Sequence, residues 1–277
     1  MKKQIIILTG IISITLLGCN QIKLESKWIE QEITVDGKLN EWKENLVVPK
    51  NRTIGIGFVN DESNLYLTLT TMDRNLIMQV LTRGFTVWID PKGRKSQRFG
   101  IRYPFGGGMG GLRRMMQGRE QVTQDFDLFI QDALSSQNEV EVIGPGKNQI
   151  ARFGLNNSAG IDVIATFEEG VFTYEMKVPL QSFAENLYAI DVKPGATIGV
   201  GFTTPELDRD SMGGKGSRGG GMGGSRGGGM GGGRGGGMGG GRGGGMGGGR
   251  GGSSDGRQMP ESLKYWVKVT LANNPES

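Results

Sequence analysis

The sequence predicts an all-β fold, an antiparallel β-sandwich of about ten strands, and three observations carry that prediction. Short runs of alternating apolar and polar residues recur from residue 34 onward, turn-forming residues separate them, and only residues 72–83 favour a helix. A Gly/Arg/Met-rich repeat without apolar periodicity precedes the last run. We therefore expect one sandwich domain from residues 33–212 together with 257–277, with residues 213–256 as a disordered insertion before the last strand.

Two hairpins begin the predicted sandwich. TIGIGFV (53–59) and LYLTLTT (65–71) each put their large apolar residues on one face, and the turn formers NDESN separate them. The turn Pro91-Lys92-Gly93 joins FTVWID (85–90) to RFGIRYP (98–104) in the same way. The remaining predicted strands are DFDLFIQ (125–131), EVEVIG (139–144), IDVIATF (161–167), VFTYEMKVP (171–179), TIGVGFTT (197–204) and YWVKVTL (265–271).

The N-terminus has the organisation of an export signal. Lys2 and Lys3 precede an apolar run over residues 5–17, which is short for a membrane span, so residues 1–18 are a predicted signal peptide. The junction LLGC resembles the lipobox of bacterial lipoproteins, which implies lipidation of Cys19, the only cysteine. Residues 19–32 would then be a lipidated tether, and Asn20 after the cysteine implies the cell outer membrane. The alternative is an ordinary secretory signal with an incidental cysteine.

Positive charge is concentrated in the repeat. The formal net charge is +4, yet residues 213–252 alone carry Lys215 and five arginines with no acid, so the predicted sandwich is mildly acidic. A nucleic-acid-binding role would depend on that repeat alone. The predicted envelope location and the lack of aromatic residues in the repeat argue against nucleic acid as a partner.

The residue types exclude several kinds of active site. The chain has no histidine, which removes Ser-His and Cys-His nucleophiles and His-ligated zinc or haem. Asp125 and Asp127 could form a glycosidase pair, but no apolar pocket around them is evident that would raise one pKa. We expect a protein that is not an enzyme and that needs no cofactor.

Five segments together resemble the family 9 carbohydrate-binding modules and the wider DOMON-like β-sandwiches. The resemblance covers most of residues 33–271 in order and implies a non-catalytic sandwich that binds glycans. The segments are ITVDGKLNEW (33–42), VNDESNLYLTLT (59–70), FTVWID (85–90), FTYEMKVPL (172–180) and YWVKVTL (265–271).

The sequence departs from the sugar site that this resemblance implies. Family members clamp a sugar between two loop tryptophans, whereas neither loop 71–84 nor loop 205–264 contains Trp, Tyr or Phe. Thr86 stands where the resemblance leads us to expect an acid. Gly100 stands where an arginine is expected, although Arg102 faces the same way two residues later. Arg102 and Thr86 remain candidate ligand-binding residues.

Other aromatic and acidic residues have structural explanations. We expect Trp42, Trp88 and Trp266 to pack in the core, since a buried aromatic is the ordinary outcome in a strand, and the alternative for each is a platform for a ligand. Asp36 and Asp61, beside Asn60, could contribute to a calcium site of the kind found in the resembled family, or could be ordinary turn residues.

The strand directions predict where the Gly/Met/Arg segments lie. Loops 71–84 and 105–123 should share one end of the sandwich, which we call the crown, and the resemblance implies that the loop before the last strand shares that end too. A cationic crown could bind anionic glycans or lipid phosphates, and its methionines could bind soft metals. The alternative is a structural or assembly protein of the envelope with no small ligand. The candidate arginines of the crown are Arg113, Arg114, Arg218, Arg226, Arg234, Arg242 and Arg250.

Overall fold

The computed structural model describes residues 21–50, 52–107, 122–146, 149–182, 188–206 and 261–276, and these form a sandwich of two mixed β-sheets. The helices are α1 (Arg74–Arg83) and α2 (Val122–Ser135). The strands are β1 (Ile22–Glu25), β2 (Lys27–Trp28), β3 (Leu46–Val47), β4 (Ile54–Asn60), β5 (Asn64–Thr71), β6 (Thr86–Asp90), β7 (Phe99–Arg102), β8 (Glu139–Ile143), β9 (Ile150–Gly154), β10 (Asp162–Glu168), β11 (Val171–Pro179), β12 (Thr197–Thr203) and β13 (Lys264–Thr270).

Seven strands form one sheet in the order β1-β13-β12-β6-β7-β8-β9, and the other has the order β10-β11-β5-β4-β2 with β3 on β4. Most neighbours are antiparallel, whereas β1 on β13 and β2 on β4 are parallel. Strand β13, which follows the repeat in sequence, lies between β1 and β12. The predicted all-β sandwich is therefore confirmed, and the last strand completes the seven-stranded sheet.

The core lies between the two sheets. Alternate residues of each strand point inward because successive side chains of a strand face opposite ways. Phe58 of one sheet packs 6.4 Å, centroid to centroid, from Phe202 of the other, and Phe85 contacts Tyr174 edge-on at 4.9 Å. Helix α1 closes one end with Leu76, Ile77, Val80 and Leu81 buried.

Three features differ from the sequence expectation. Residues 125–131, predicted as a strand, belong to helix α2, since DFDLFI fits an amphipathic helix as well as an alternating strand. Residues 22–28, predicted as part of the tether, supply β1 and β2, so the sandwich starts before residue 33. Strands β3 and β9, of two and five residues, were also missed.

The strand ends that adjoin the predicted crown loops lie at one end of the sandwich. Thr86 lies opposite Arg102 and Thr203, and Thr203 lies opposite Lys264. Most of loops 105–123 and 205–264 lies outside the described residues. Within the described part of the chain, no helix is both long and apolar enough to cross a membrane.

The outer face of the smaller sheet is covered by residues 29–45. Trp42 from this covering segment is 1% exposed, as predicted for a buried aromatic, and it lies on Gly57 of β4. Ile33, Val59 and Tyr66 complete this second apolar cluster. Glu175 of β11 fastens the segment, because its Oε2 accepts hydrogen bonds from the backbone N–H groups of Asp36 and Gly37 at 3.1 and 2.9 Å.

Candidate functional site

The outer face of the seven-stranded sheet carries two parallel rows of side chains that run across the strands. The strand pairings place one member of each row on each strand from β13 to β9. The apolar row consists of Trp266, Gly201, Trp88, Gly100, Ile143 and Ile150, and the polar row, nearer the crown, consists of Lys264, Thr203, Thr86, Arg102, Glu141 and Arg152.

Two indole rings lie flat along the apolar row because glycines stand beside them. A Cβ on Gly100 would fall 2.5 Å from Cε3 of Trp88, and a Cβ on Gly201 would fall 2.4 Å from Cε2 of Trp266. Both tryptophans stay partly exposed. The Nε1–H of Trp88 donates a hydrogen bond to Oγ1 of Thr203 at 2.9 Å, which holds that ring across the strands. The result is a flat aromatic surface facing solvent.

An acid between two arginines dominates the polar row. Glu141 is 4% exposed; its Oε2 accepts from Nε of Arg152 at 2.9 Å, and its Oε1 lies 3.6 Å from Nη1 of Arg102. Nε of Arg102 is buried without a hydrogen-bond partner. This trio carries one net positive charge, held in place by the buried carboxylate.

Phe105 borders the polar row on the crown side. Its ring centroid is 5.1 Å from Cζ of Arg152 and 6.0 Å from Cζ of Arg102, and its carbonyl accepts from Nη2 of Arg102 at 3.4 Å. The backbone N–H of Phe105 donates to Oε1 of Gln137. These contacts fix the aromatic ring over the two guanidinium groups.

The hairpin turn after β6 borders the apolar row on the opposite side. The backbone of Arg94 passes over Gly199, whose Cβ, if present, would lie 1.9 Å from the Arg94 carbonyl oxygen. Asp90 holds this turn by accepting from the backbone N–H groups of Lys92 and Ser96. The two rows therefore form the floor of a shallow trough between this turn and Phe105.

Flat indoles beside charged hydrogen-bonding groups can bind a ligand with one apolar face and many hydroxyl groups. The aromatic faces would contact the apolar side of such a ligand, and the guanidinium donors would bind oxygen atoms at its edge. Neighbouring strands are about 4.8 Å apart, so tryptophans on β6 and β13, with β12 between them, are separated by about 10 Å. The aromatic surface is therefore longer than one small ring.

The candidate site residues predicted from the sequence lie in different parts of the molecule. Arg102 lies in the trough, and so does Thr86, although Thr86 is only 6% exposed. Asp127 is exposed on helix α2, and the Asp125 side chain is outside the described residues. The described residues likewise do not include Cys19, Arg113, Arg114, Arg218, Arg226, Arg234, Arg242 and Arg250.

The two calcium candidates have other hydrogen-bond partners. Asp36 pairs with Lys38 at 2.9 Å, and this contact lowers the pKa of Asp36. Asp61 accepts from the backbone of Ser63 and Asn64 in the turn between β4 and β5, and from the Tyr66 hydroxyl. Among the residues that the structure describes, no group of three or more His, Cys, Asp or Glu could hold a metal ion.

The expectation that Trp88 and Trp266 pack in the core is wrong. Both point to the outer face, because the inward positions of their strands belong to Val87, Ile89 and Val267 among others. The alternation in TVWID contained this information, since Val87 and Ile89 share the face opposite Trp88. Sequence reasoning also missed Phe105, Glu141 and Arg152, which approach Arg102 only through long-range strand pairing.

Two solved structures are similar to this chain. Both are family 9 carbohydrate-binding modules from Caldicellulosiruptor kristjanssonii, one in complex with glucose and one with cellotriose. They share 10% and 9% sequence identity with this chain, cover 69% of it and 80% and 78% of their own length, and have TM-scores of 0.34 and 0.33. No protein-family model matches the sequence, and comparison with curated protein sequences finds no match. The sandwich assignment stands on the strand pairings themselves.

Proposed function

We propose that this chain is a cell-envelope lipoprotein whose sandwich binds glycans, without catalysis, in the trough of the seven-stranded sheet. One observation carries the proposal: Trp88 and Trp266 lie flat and partly exposed in a single cross-strand row, beside a row of charged and polar groups. A strand in a soluble sandwich commonly exposes small polar residues on its outer face, so two aligned indoles there call for a ligand.

The chemistry of the trough suits an extended oligosaccharide. The indoles contact the apolar faces of successive sugar rings, and Arg102 and Arg152 donate to hydroxyl or carboxylate oxygens along one edge. The side chains of Arg102 and Arg152 are 33% and 60% exposed, so both reach solvent in the trough. Because the trio of Arg102, Glu141 and Arg152 has one net positive charge, acidic sugars are bound more tightly than neutral ones at low salt.

A glycan array with the full-length chain in detergent tests this function. Ligands found on the array are then compared by length in solution, with glucose and cellotriose as further probes because the two similar proteins were solved with them. We expect longer oligosaccharides to bind more tightly than their monosaccharides. An array without any bound glycan would refute the proposal.

Tryptophan substitutions test the location. Trp88→Ala and Trp266→Ala should each weaken binding about tenfold or more, as truncation of a central aromatic contact costs about 1–2 kcal/mol or more. Trp28→Ala is the matched control, since Trp28 is also partly exposed but lies on β2 in the other sheet. Binding that survives both trough substitutions would place the ligand elsewhere.

The lipid anchor is the second part of the proposal, and the LLGC junction at residues 16–19 supports it. Two or three acyl chains would attach the protein durably to the outer membrane, since each buried CH₂ contributes about 0.8 kcal/mol. Cys19→Ala should stop incorporation of labelled fatty acid and release the protein from membranes. Retention of that variant in the outer-membrane fraction after a high-salt wash would contradict lipid anchoring.

A further inference from the structure

The first strand determines where the chain enters the sandwich. Strand β1 forms an edge of the seven-stranded sheet and runs parallel to β13, with Ile22 opposite Val267. Because β13 begins at the crown with Lys264 and β1 runs parallel to it, β1 also begins at the crown end. Only three positions separate Cys19 from Ile22 in the sequence, and an extended chain spans at most about 3.6 Å per residue, so a lipid on Cys19 would hold the start of β1 close to the bilayer.

An exposed apolar cleft lies at the same end of the molecule. It has a volume of about 570 Å³ and lies where β3 ends, β4 begins and β5 ends, with Leu46, Val48, Ile54, Met72 and Val171 in its walls. Val48 and Met72 are each 69% exposed, which is unusual for large apolar side chains. We call this cleft with its rim the anchor-side corner.

Arg52 connects the anchor-side corner to the edge where the chain enters. Its guanidinium lies 5.0 Å from the ring centroid of Tyr265 on β13, the strand that pairs with β1. Arg52 lines the cleft, and both Arg52 and Lys50, two residues before it in the chain, are exposed. The acid in the corner, Asp73, caps helix α1 through the backbone N–H groups of Asn75 and Leu76 and accepts a hydrogen bond from Thr53. The corner thus combines exposed apolar side chains with two cations.

We propose that the anchor-side corner docks on the surface of an anionic phospholipid bilayer. This inference rests on the lipid anchor proposed above and adds an orientation to it. Val48 and Met72 insert at the boundary between headgroups and acyl chains, while Lys50 and Arg52 contact lipid phosphates. A short tether gives the corner a high effective concentration at the bilayer, so a weak contact suffices.

The orientation has a consequence for the glycan trough. With the crown toward the bilayer, the strands stand upright on it, and the two rows of the trough, which cross the strands, run parallel to the membrane. The polar row lies nearer the lipid than the tryptophan row does. A polymer that lies along the membrane surface would fit this direction.

A fluorescent label next to the corner tests the docking. Cys19 is the only cysteine, and in the lipidated protein its sulfur carries lipid, so Met72→Cys would supply the only free thiol for a bimane label. The lipidated full-length chain is reconstituted in vesicles of phosphatidylcholine and phosphatidylglycerol that contain a headgroup-level nitroxide lipid. Ser63→Cys, exposed in the turn between β4 and β5 at the opposite end, is the matched control. We expect quenching several times stronger at position 72 than at position 63, and Val48→Cys provides a second probe if the first variant folds poorly.

Charge reversal supplies the second readout. Lys50→Glu with Arg52→Glu should reduce quenching at position 72 at least twofold in anionic vesicles, whereas Lys92→Glu at the far end should leave it unchanged. Equal, weak quenching at positions 72 and 63 in protein that floats with the vesicles would overturn the docking but keep the anchor. Protein that carries no lipid and does not float would overturn the anchor, and the docking with it.

Discussion

On the outer face of each sheet an indole ring packs against a glycine, but the ring is buried on the smaller sheet and partly exposed on the larger one. On the smaller sheet, Trp42 of the covering segment 29–45 lies on Gly57 and is 1% exposed. On the larger sheet, Trp88 and Trp266 lie on Gly100 and Gly201, and both remain partly exposed. In both places the glycine leaves room for an indole to lie flat on the sheet. Whether that indole stabilises the fold or is open to a ligand depends on what covers it.

Removal of the covered indole should have the largest effect on stability. Trp42→Ala should lower the free energy of unfolding by about 3–5 kcal/mol, because it leaves a cavity between Gly57 and the covering segment. Urea denaturation followed by circular dichroism would measure the change. Trp266→Ala, on the uncovered face, is the comparison and should cost about 1 kcal/mol, since its indole is already partly in water. Equal losses would show that the two faces do not differ as described.

The sequence predicted where the strands lie along the chain better than it predicted which strands lie side by side. Alternation of period two identifies β4, β5, β6 and β11, because each buries one face against the core. The same alternation could have predicted that Trp88 points outward, since Val87 and Ile89 occupy the inward positions. No local pattern could have brought Glu141 and Arg152 to Arg102, because that contact depends on the order of strands in the sheet. The covering segment has the same limitation, since it is attached through Glu175, 138 residues after Gly37.

Replacing the glycine under each indole with alanine tests the difference between the covered and the uncovered face. Gly57→Ala should cost about 1–3 kcal/mol, because its Cβ would fall 2.8 Å from Trp42 and 3.0 Å from the Asn45 carbonyl, and the covered indole has no room to move. Gly201→Ala should cost less than about 1 kcal/mol, since Trp266 can rotate toward solvent.

Binding measurements on the same pair complete this test. Gly201→Ala should weaken glycan binding several-fold because it lifts the Trp266 ring from the plane of the trough, whereas Gly57→Ala, in protein that remains folded, should bind normally. Unchanged binding by Gly201→Ala would mean that the flat orientation of Trp266 is unimportant.

The covered face also buries an acid whose ionisation we can test. Burial raises the pKa of Glu175 from its ordinary value of 4.5, although the backbone N–H groups of Gly37 and Asp36 oppose the shift. The folded state therefore keeps this proton to a higher pH than the unfolded state does. The contribution of Glu175 to stability should be greatest below about pH 4.5 and should fall as the pH rises through the raised pKa.

Glu175→Gln isolates this contribution. The amide oxygen can keep the hydrogen bonds from Asp36 and Gly37 but cannot ionise, so the variant should lack that fall in stability and should gain on the wild type as the pH rises toward neutrality. Urea midpoints measured across the acidic to neutral range would show it. Parallel pH profiles for the two proteins would contradict a raised pKa.

The smallest expected effect concerns the hydrogen bond that orients an exposed indole. Thr203→Val removes the hydroxyl that accepts from Nε1–H of Trp88 at 2.9 Å and keeps the side-chain shape. The loss of stability should be about 1 kcal/mol or less, because Trp88 is partly exposed and water can replace the acceptor. Glycan affinity should fall by more than stability suggests, since the ring loses its fixed orientation across the strands. Thr203→Ser, which keeps the hydroxyl, should restore binding. A serine variant that binds as weakly as the valine variant would show that this hydrogen bond does not orient Trp88.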